Sequence, residues 1–175
     1  MVQSRIIETA RLRILPFSEE FLTPRYVNWL NDPEVVRYSE QRHRFHTLES
    51  CREYLKSFLA TPNYFWAVIT RDDELGHIGN MNAYVDVNNS LADVSILIGE
   101  RKAWRKGYGS EAWIAVCNYL LKEENIRKIT AGTLSVNTAM LGVMRHAGMV
   151  EDGRRIRHRL FEGSEVDVVY ASLFR

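Results

Sequence analysis

Apolar residues recur along this chain at two spacings, and the switches between them predict its elements. Residues 11–15 alternate as a first strand, which Pro16 stops. Ser18 stands where a cap would open a helix, and Pro24 suits the first turn of another over 25–30. Tyr26, Trp29 and Leu30 share one face of that second helix, which ends near Asn31-Asp32-Pro33. A short helical piece is expected at 34–38. A loop with Arg42, His43, Arg44, Phe45 and His46 follows. Thr47 then caps a helix striped by Leu48, Cys51, Tyr54, Leu55 and Phe58.

The next stretch is strand-like. Residues 64–70 are aromatic and branched, 71–74 form a polar turn, and 75–85 return with Gly76 and Gly79 as bulges. After a second polar turn, the Val- and Ile-rich run 92–98 ends at Gly99 and leads to a glycine turn and a long helix. A strand at 126–134, a helix from Asn137 to about His146, and strands at 149–161 and 165–173 complete the chain. The order predicts an α+β fold: one mixed, mostly antiparallel central sheet flanked by helices, in a single domain spanning 1–175.

Composition narrows this reading. The chain has 175 residues, 46% of them hydrophobic and 26% charged, which suits a globular domain with a real core. The net charge of +1 gives no global field toward nucleic acid or a membrane, so any anion must be recognised locally. No apolar run approaches membrane-spanning length. Cys51 and Cys117 both fall in helical stripes, as two buried free thiols would, and a cytoplasmic location follows as the expectation. The histidines show no metal-site spacing.

The chemistry concentrates at Trp104-Arg105-Lys106-Gly107-Tyr108-Gly109-Ser110. Two glycines let backbone approach a ligand closely. The helix that follows directs unpaired N–H groups and a partial positive charge into the turn, which Arg105 and Lys106 reinforce. That is a place for a phosphate or pyrophosphate, although an ordinary tight connection would use the same glycines. A P-loop is excluded because Lys106 precedes Gly107 and no Gly-Lys-Ser/Thr follows. The three-glycine dinucleotide spacing is missing too.

The run Ala92 to Gly99, followed by Trp104-Arg105-Lys106-Gly107-Tyr108-Gly109-Ser110-Glu111-Ala112, resembles the acetyl-CoA motif of the GNAT acetyltransferases, in their RimJ/RimL-like branch. Glu8-Thr9-Ala10-Arg11-Leu12, Asn137-Thr138-Ala139-Met140 and Arg145-His146-Ala147-Gly148-Met149 resemble further motifs of that branch, in order over nearly the whole chain. The resemblance implies the GNAT fold and acetyl-CoA as acetyl donor. Backbone from Arg105 to Ser110 would hold its pyrophosphate. The strand would splay and pair with the pantetheine arm, a backbone N–H near Leu97 or Ile98 polarising the thioester, with the Ile96 and Ile98 side chains in the core. An oxyanion donor of that kind is worth about 3 kcal/mol. Asn137 would contact the cofactor arm while capping its helix, and Trp104 would pack at the loop base. Met140 and Met144 depart from the family, where serine and a thiolate-protonating tyrosine are usual. A thioether donates no proton. The thiolate then either leaves unassisted, which its pKa near 8.5 permits, or takes its proton from another group such as Tyr108 or a water.

Asp93 stands where relatives carry a strand glutamate, so it is the candidate base, with a purely structural carboxylate as the alternative. Ser95 is either a proton relay or simply small. An α-amino group of pKa about 8 costs only about 1.4 kcal/mol to deprotonate at pH 7, against about 4–5 kcal/mol for a lysine. Trp29-Leu30-Asn31-Asp32-Pro33-Glu34-Val35 and Arg42 resemble relatives that acetylate nucleotide-linked amino sugars, and part of the pattern is shared by ribosomal-protein enzymes. Trp29, Asn31, Arg42 and His43 are thus the candidate acceptor-binding residues. The acceptor is expected to be a protein N-terminus or small amine, or alternatively a 4-amino sugar nucleotide. A homodimer is what relatives suggest. The readings from other classes are a non-catalytic acyl-CoA-binding module and a nucleotide-phosphate binder.

Overall fold

The computed structural model describes residues 5–72 and 75–175, so Asp73 and Glu74 of the expected polar turn lie outside the described residues. One eight-stranded sheet runs β1 (Ile7–Glu8), β2 (Leu12–Pro16), β3 (Tyr64–Thr70), β4 (His77–Asp86), β5 (Leu91–Ile98), β6 (Lys128–Leu134), β8 (Ser164–Phe174) and β7 (Val150–Phe161) in space. All neighbours are antiparallel except β5 and β6. Helices α1 (Pro24–Asn31), α2 (Leu48–Lys56), α3 (Tyr108–Lys122) and α4 (Thr138–His146) cover its two faces.

Strand alternation decides which helices lie where. On β3, Tyr64, Trp66 and Val68 point into the main core with Trp113, Val116 and Leu120 of α3 and Met144 of α4. Their neighbours Phe65 and Ala67 point the other way, into an aromatic cluster with Tyr26 and Trp29 of α1 and Cys51 of α2. Thr23 caps α1 by accepting from the Tyr26 N–H at 3.2 Å, with Pro24 behind it. Thr47 and Ser50 exchange bonds as a capping box on α2. Cys51 and Cys117 are buried free thiols. Among the described residues no helix is long and apolar enough to cross a membrane.

Two expected helices do not form. Ser18 donates to the Glu20 carboxylate at 2.9 Å instead of capping, and Glu19–Phe21 is a single 3-10 turn. Residues 33–38 are turns rather than a helix. Asp32 accepts from the Glu34 N–H at 3.0 Å and pairs with Arg101, so the chain leaves α1 toward the β7–β8 hairpin, where Tyr38 stacks on Phe161 at 5.4 Å. The short β1 lay below what alternation reveals.

His77 is enclosed by Phe21 and Trp29, each 5.0 Å away, and by Phe17 and Tyr26. Its Nε2–H donates to the Gly79 carbonyl at 2.9 Å. Burial disfavours the cation and lowers its pKa to about 4, with Arg25 adding to the effect. The folded pKa lies below the unfolded value of 6.5, so the contribution to stability is complete above pH 6.5 and is lost as pH falls toward 4. In urea unfolding, His77→Gln should lose about 1–2 kcal/mol less stability than wild type between pH 7 and pH 5. Equal losses would place the acid sensitivity elsewhere.

Candidate active site

The sheet divides at one place. β5 pairs with β4 along its whole length, from Leu91 against Asp86 to Ile98 against Gly79. With β6 it pairs only at Leu91, Ala92 and Asp93, the last opposite Thr130, whereas β6 continues with β8 as far as Leu134. Beyond Asp93 the two strands separate. Among the described residues, the β6-facing edge of residues 94–98 then carries no strand partner, an unusual exposure of backbone within a sheet.

Local sequence explains why β5 follows β4. A Cβ at Gly79 would overlap the Leu97 carbonyl, so only glycine allows this approach. Gly99 and Glu100 both donate their N–H groups to Ile78, at 2.9 and 3.0 Å. Trp29 lies against Gly99, where any Cβ would overlap its indole ring. Trp29 is 6% exposed. It is therefore a core wedge that sets the end of β5.

The glycine turn meets β5 at its separated end. Trp104 donates its indole N–H to the Ile98 carbonyl at 2.8 Å, closing the strand from the loop side. Arg105 and Gly107 both have positive φ, 60° and 82°, and α3 begins at Tyr108 with Gly107 as a cap that offers no side chain. Backbone curled in this way makes a concave set of N–H donors. Among the described residues, no hydrogen bond is donated by the backbone N–H groups of Arg105 to Ser110. A Cβ at Gly109 would sit 3.7 Å from Ile98, so the helix start and the strand end form one corner. Arg105 and Lys106 are exposed there. Tyr108 is buried in the core beneath Arg11, 4.6 Å from its ring centroid, which takes it away from the role of alternative acid. Ile96 and Ile98 pack on the main core.

Asp93 and Ser95 lie on the opposite face, the one that α1 and α2 cover further along. Asp93 keeps solvent access, but the protein crowding its carboxyl raises the pKa, and the bond donated by Thr130 at 2.8 Å only partly opposes this. Ser95 donates to Asn82 Oδ1 at 2.7 Å, Asn82 donates to the Tyr54 hydroxyl at 2.8 Å, and Tyr54 meets Tyr84 at 2.9 Å. Tyr84 sits opposite Asp93 across β4 and β5. Sequence reading missed this network, because Tyr54 is indistinguishable from a helix-stripe residue and Asn82 from a strand residue. Asn137 caps α4 by accepting from Met140 N–H at 3.2 Å and donates to Thr133 at 3.0 Å. Met144 is 2% exposed, in the core.

The expected acceptor residues divide between framework and surface. Asn31 exchanges two 2.8 Å bonds with the backbone of His46. Arg42 donates to the Ser39 and Leu160 carbonyls and pairs with Glu40. Both fix the loop. His43, Arg44 and Phe45 are exposed beside a cavity of about 380 Å³ between that loop and Phe161-Glu162 of the hairpin.

Comparison with known proteins agrees with this architecture. The whole fold superposes on solved N-acetyltransferase structures. RimL, a ribosomal L7/L12 α-N-protein acetyltransferase solved with coenzyme A, superposes with a TM-score of 0.84 at 13% identity, covering 97% of this chain and 98% of its own. A Vibrio cholerae spermidine N-acetyltransferase, solved with CoA and spermine, gives 0.83 at 17% identity over 95% and 96%. An uncharacterized N-acetyltransferase, p20 of Bacillus licheniformis, is 24% identical over 150 residues, 83% of each chain. Residues 11–150 match the acetyltransferase (GNAT) domain family, and the chain belongs to that family of N-acetyltransferases.

Gly79→Ala tests the strand arrangement. Its methyl group meets backbone rather than a flexible side chain, so chemical denaturation should show a loss of at least about 2 kcal/mol. A neutral substitution would mean that β4 and β5 are not held so closely.

Proposed function

We propose that the protein moves the acetyl group of acetyl-CoA directly to a primary amine, with no acyl-enzyme intermediate. The observation that carries this reading is the unpaired edge of β5 beyond Asp93, running into the bare N–H groups of the glycine turn. Pantetheine is an amide chain that can pair with a strand edge, and its pyrophosphate suits a helix start. An N–H near Leu97 or Ile98 then faces the thioester carbonyl and stabilises the oxyanion as the amine adds. Cys51 and Cys117 are buried, and burial raises both thiols, Cys117 to about 12, so neither supplies a thiolate for acyl transfer.

Asp93 at the fork is the base, taking the amine proton directly or through water. Burial raises its carboxyl above the ordinary aspartate value, which makes it a stronger base toward the amine proton. Ser95, held by Asn82, orients that water. The thiolate of CoA leaves with solvent as its proton source, which its ordinary pKa near 8.5 permits. The acceptor on this reading is a weakly basic primary amine such as a protein N-terminus or a small amine. A second reading, a nucleotide-linked amino sugar, draws support from the cavity beside Arg44, His43 and Phe45, where cations and an exposed ring suit phosphate and a base. The same basic loop disfavours a polyamine. The two buried free thiols fit a reducing cytoplasm.

Thiol release from acetyl-CoA with peptides bearing free N-termini, amino-sugar nucleotides and spermidine in parallel tests the reading. Turnover is expected with the peptides or the nucleotides and not with spermidine. Asp93→Asn should lower kcat/KM at least tenfold and flatten the acid limb of its pH profile. Turnover untouched by Asp93→Asn would remove the base. CoA binding without turnover of any amine would favour a binding module.

A further inference from the structure

Arg11, just ahead of β2, reaches the glycine turn at Lys106, 95 positions further along the chain. Its Nη1 donates to the Lys106 carbonyl at 2.8 Å, its Nε donates to Glu111 Oε2 at 2.7 Å, and its backbone N–H donates to Glu111 Oε1 at 2.9 Å. Thr9 adds a hydroxyl bond to the same Oε1 at 2.5 Å. The guanidinium lies over the Tyr108 ring, and a Cβ at Gly107 would come within 3.3 Å of Nη2. One side chain therefore touches three consecutive residues of the turn and the first turn of α3.

The arrangement answers an electrostatic difficulty. Glu111 occupies the first turn of α3, where a carboxylate favours the helix dipole but repels an incoming phosphate. Arg11 and Thr9 together occupy both carboxylate oxygens and hold the acid's pKa below its ordinary value against the opposing effect of burial. Bonding by Arg11 also fixes the direction of the Lys106 carbonyl. A carbonyl held by the guanidinium is not free to turn toward the phosphate side of the curled backbone, where its partial negative charge would oppose binding.

We infer that Arg11, acting with Glu111 and Thr9, is a positioning residue for the pyrophosphate of acetyl-CoA, setting the turn's N–H donors for the anion without contacting the reacting atoms. This rests on the acetyl-CoA reading above. It also gives a physical role to two motif positions, the arginine of Glu8-Thr9-Ala10-Arg11-Leu12 and the glutamate of Ser110-Glu111-Ala112, which otherwise look unrelated. A lysine at position 11 keeps the charge but cannot form both side-chain bonds at once.

The test is CoA affinity by titration calorimetry together with acetyl-CoA kinetics for wild type, Arg11→Lys, Arg11→Ala and Arg11→Ala/Glu111→Gln. Arg11→Ala should weaken CoA at least tenfold and raise KM for acetyl-CoA equally, while kcat at saturation falls less than threefold. Arg11→Lys should lie between it and wild type. The double variant should regain part of the affinity, because the uncovered carboxylate is gone. Wild-type affinity in Arg11→Ala, or a loss carried by kcat with KM unchanged, overturns the inference. If Arg11→Ala does not fold, wild-type affinity in Arg11→Lys overturns it equally. Failure of wild type to bind CoA would instead overturn the acetyl-CoA reading itself.

Discussion

The site depends on one constraint: β5 cannot follow both of its neighbours. Gly79 and the paired N–H groups of Gly99 and Glu100 hold it to β4, and Trp29 presses its end from the α1 side. β6 meanwhile follows β8 through a full ladder. The sheet must open between them, and it opens after Asp93 and Thr130. Everything assigned to acetyl transfer lies along that opening: the free strand edge, the glycine turn at its end, and the carboxylate at its fork. A backbone left unpaired inside a sheet is costly unless something pairs with it, and an amide-bearing cofactor arm is a partner of the right chemistry.

The same constraint separates the two faces. Ile96 and Ile98 anchor the open strand in the main core, while Asp93 and Ser95 point to the face of Tyr54, Asn82 and Tyr84. A donor bound in the opening is therefore reachable by an acceptor from the α1–α2 side. The loop after α1 narrows that approach. Asn31 and Arg42 hold its shape through backbone bonds and leave His43, Arg44 and Phe45 exposed beside the cavity.

Much of this was legible in the sequence because the signals were local. Branched runs marked β3 and β5, Thr47 marked α2, and the glycine turn marked the start of α3. The failures have identifiable causes. Residues 34–38 looked helical, but a contact distant in sequence, Asp32 with Arg101, turned the chain there. Ser18 looked like a cap but spent its hydroxyl on Glu20. Trp29 stood out as a motif residue, while its packing into the space that Gly99 leaves was not visible. The bond network from Ser95 to Tyr84 links three elements, and no spacing within one element encodes it. Arg11 and Glu111 were visible as motif residues, while their pairing across 100 positions was not.

The most direct test is amide hydrogen exchange with and without CoA. Residues 94–98 and 105–110 carry N–H groups that this account leaves for the cofactor, so CoA should slow exchange there more than anywhere else in the sheet. Protection confined to other segments, with 94–98 exchanging equally fast in both states, would contradict the claim that the opening beyond Asp93 is where the donor binds.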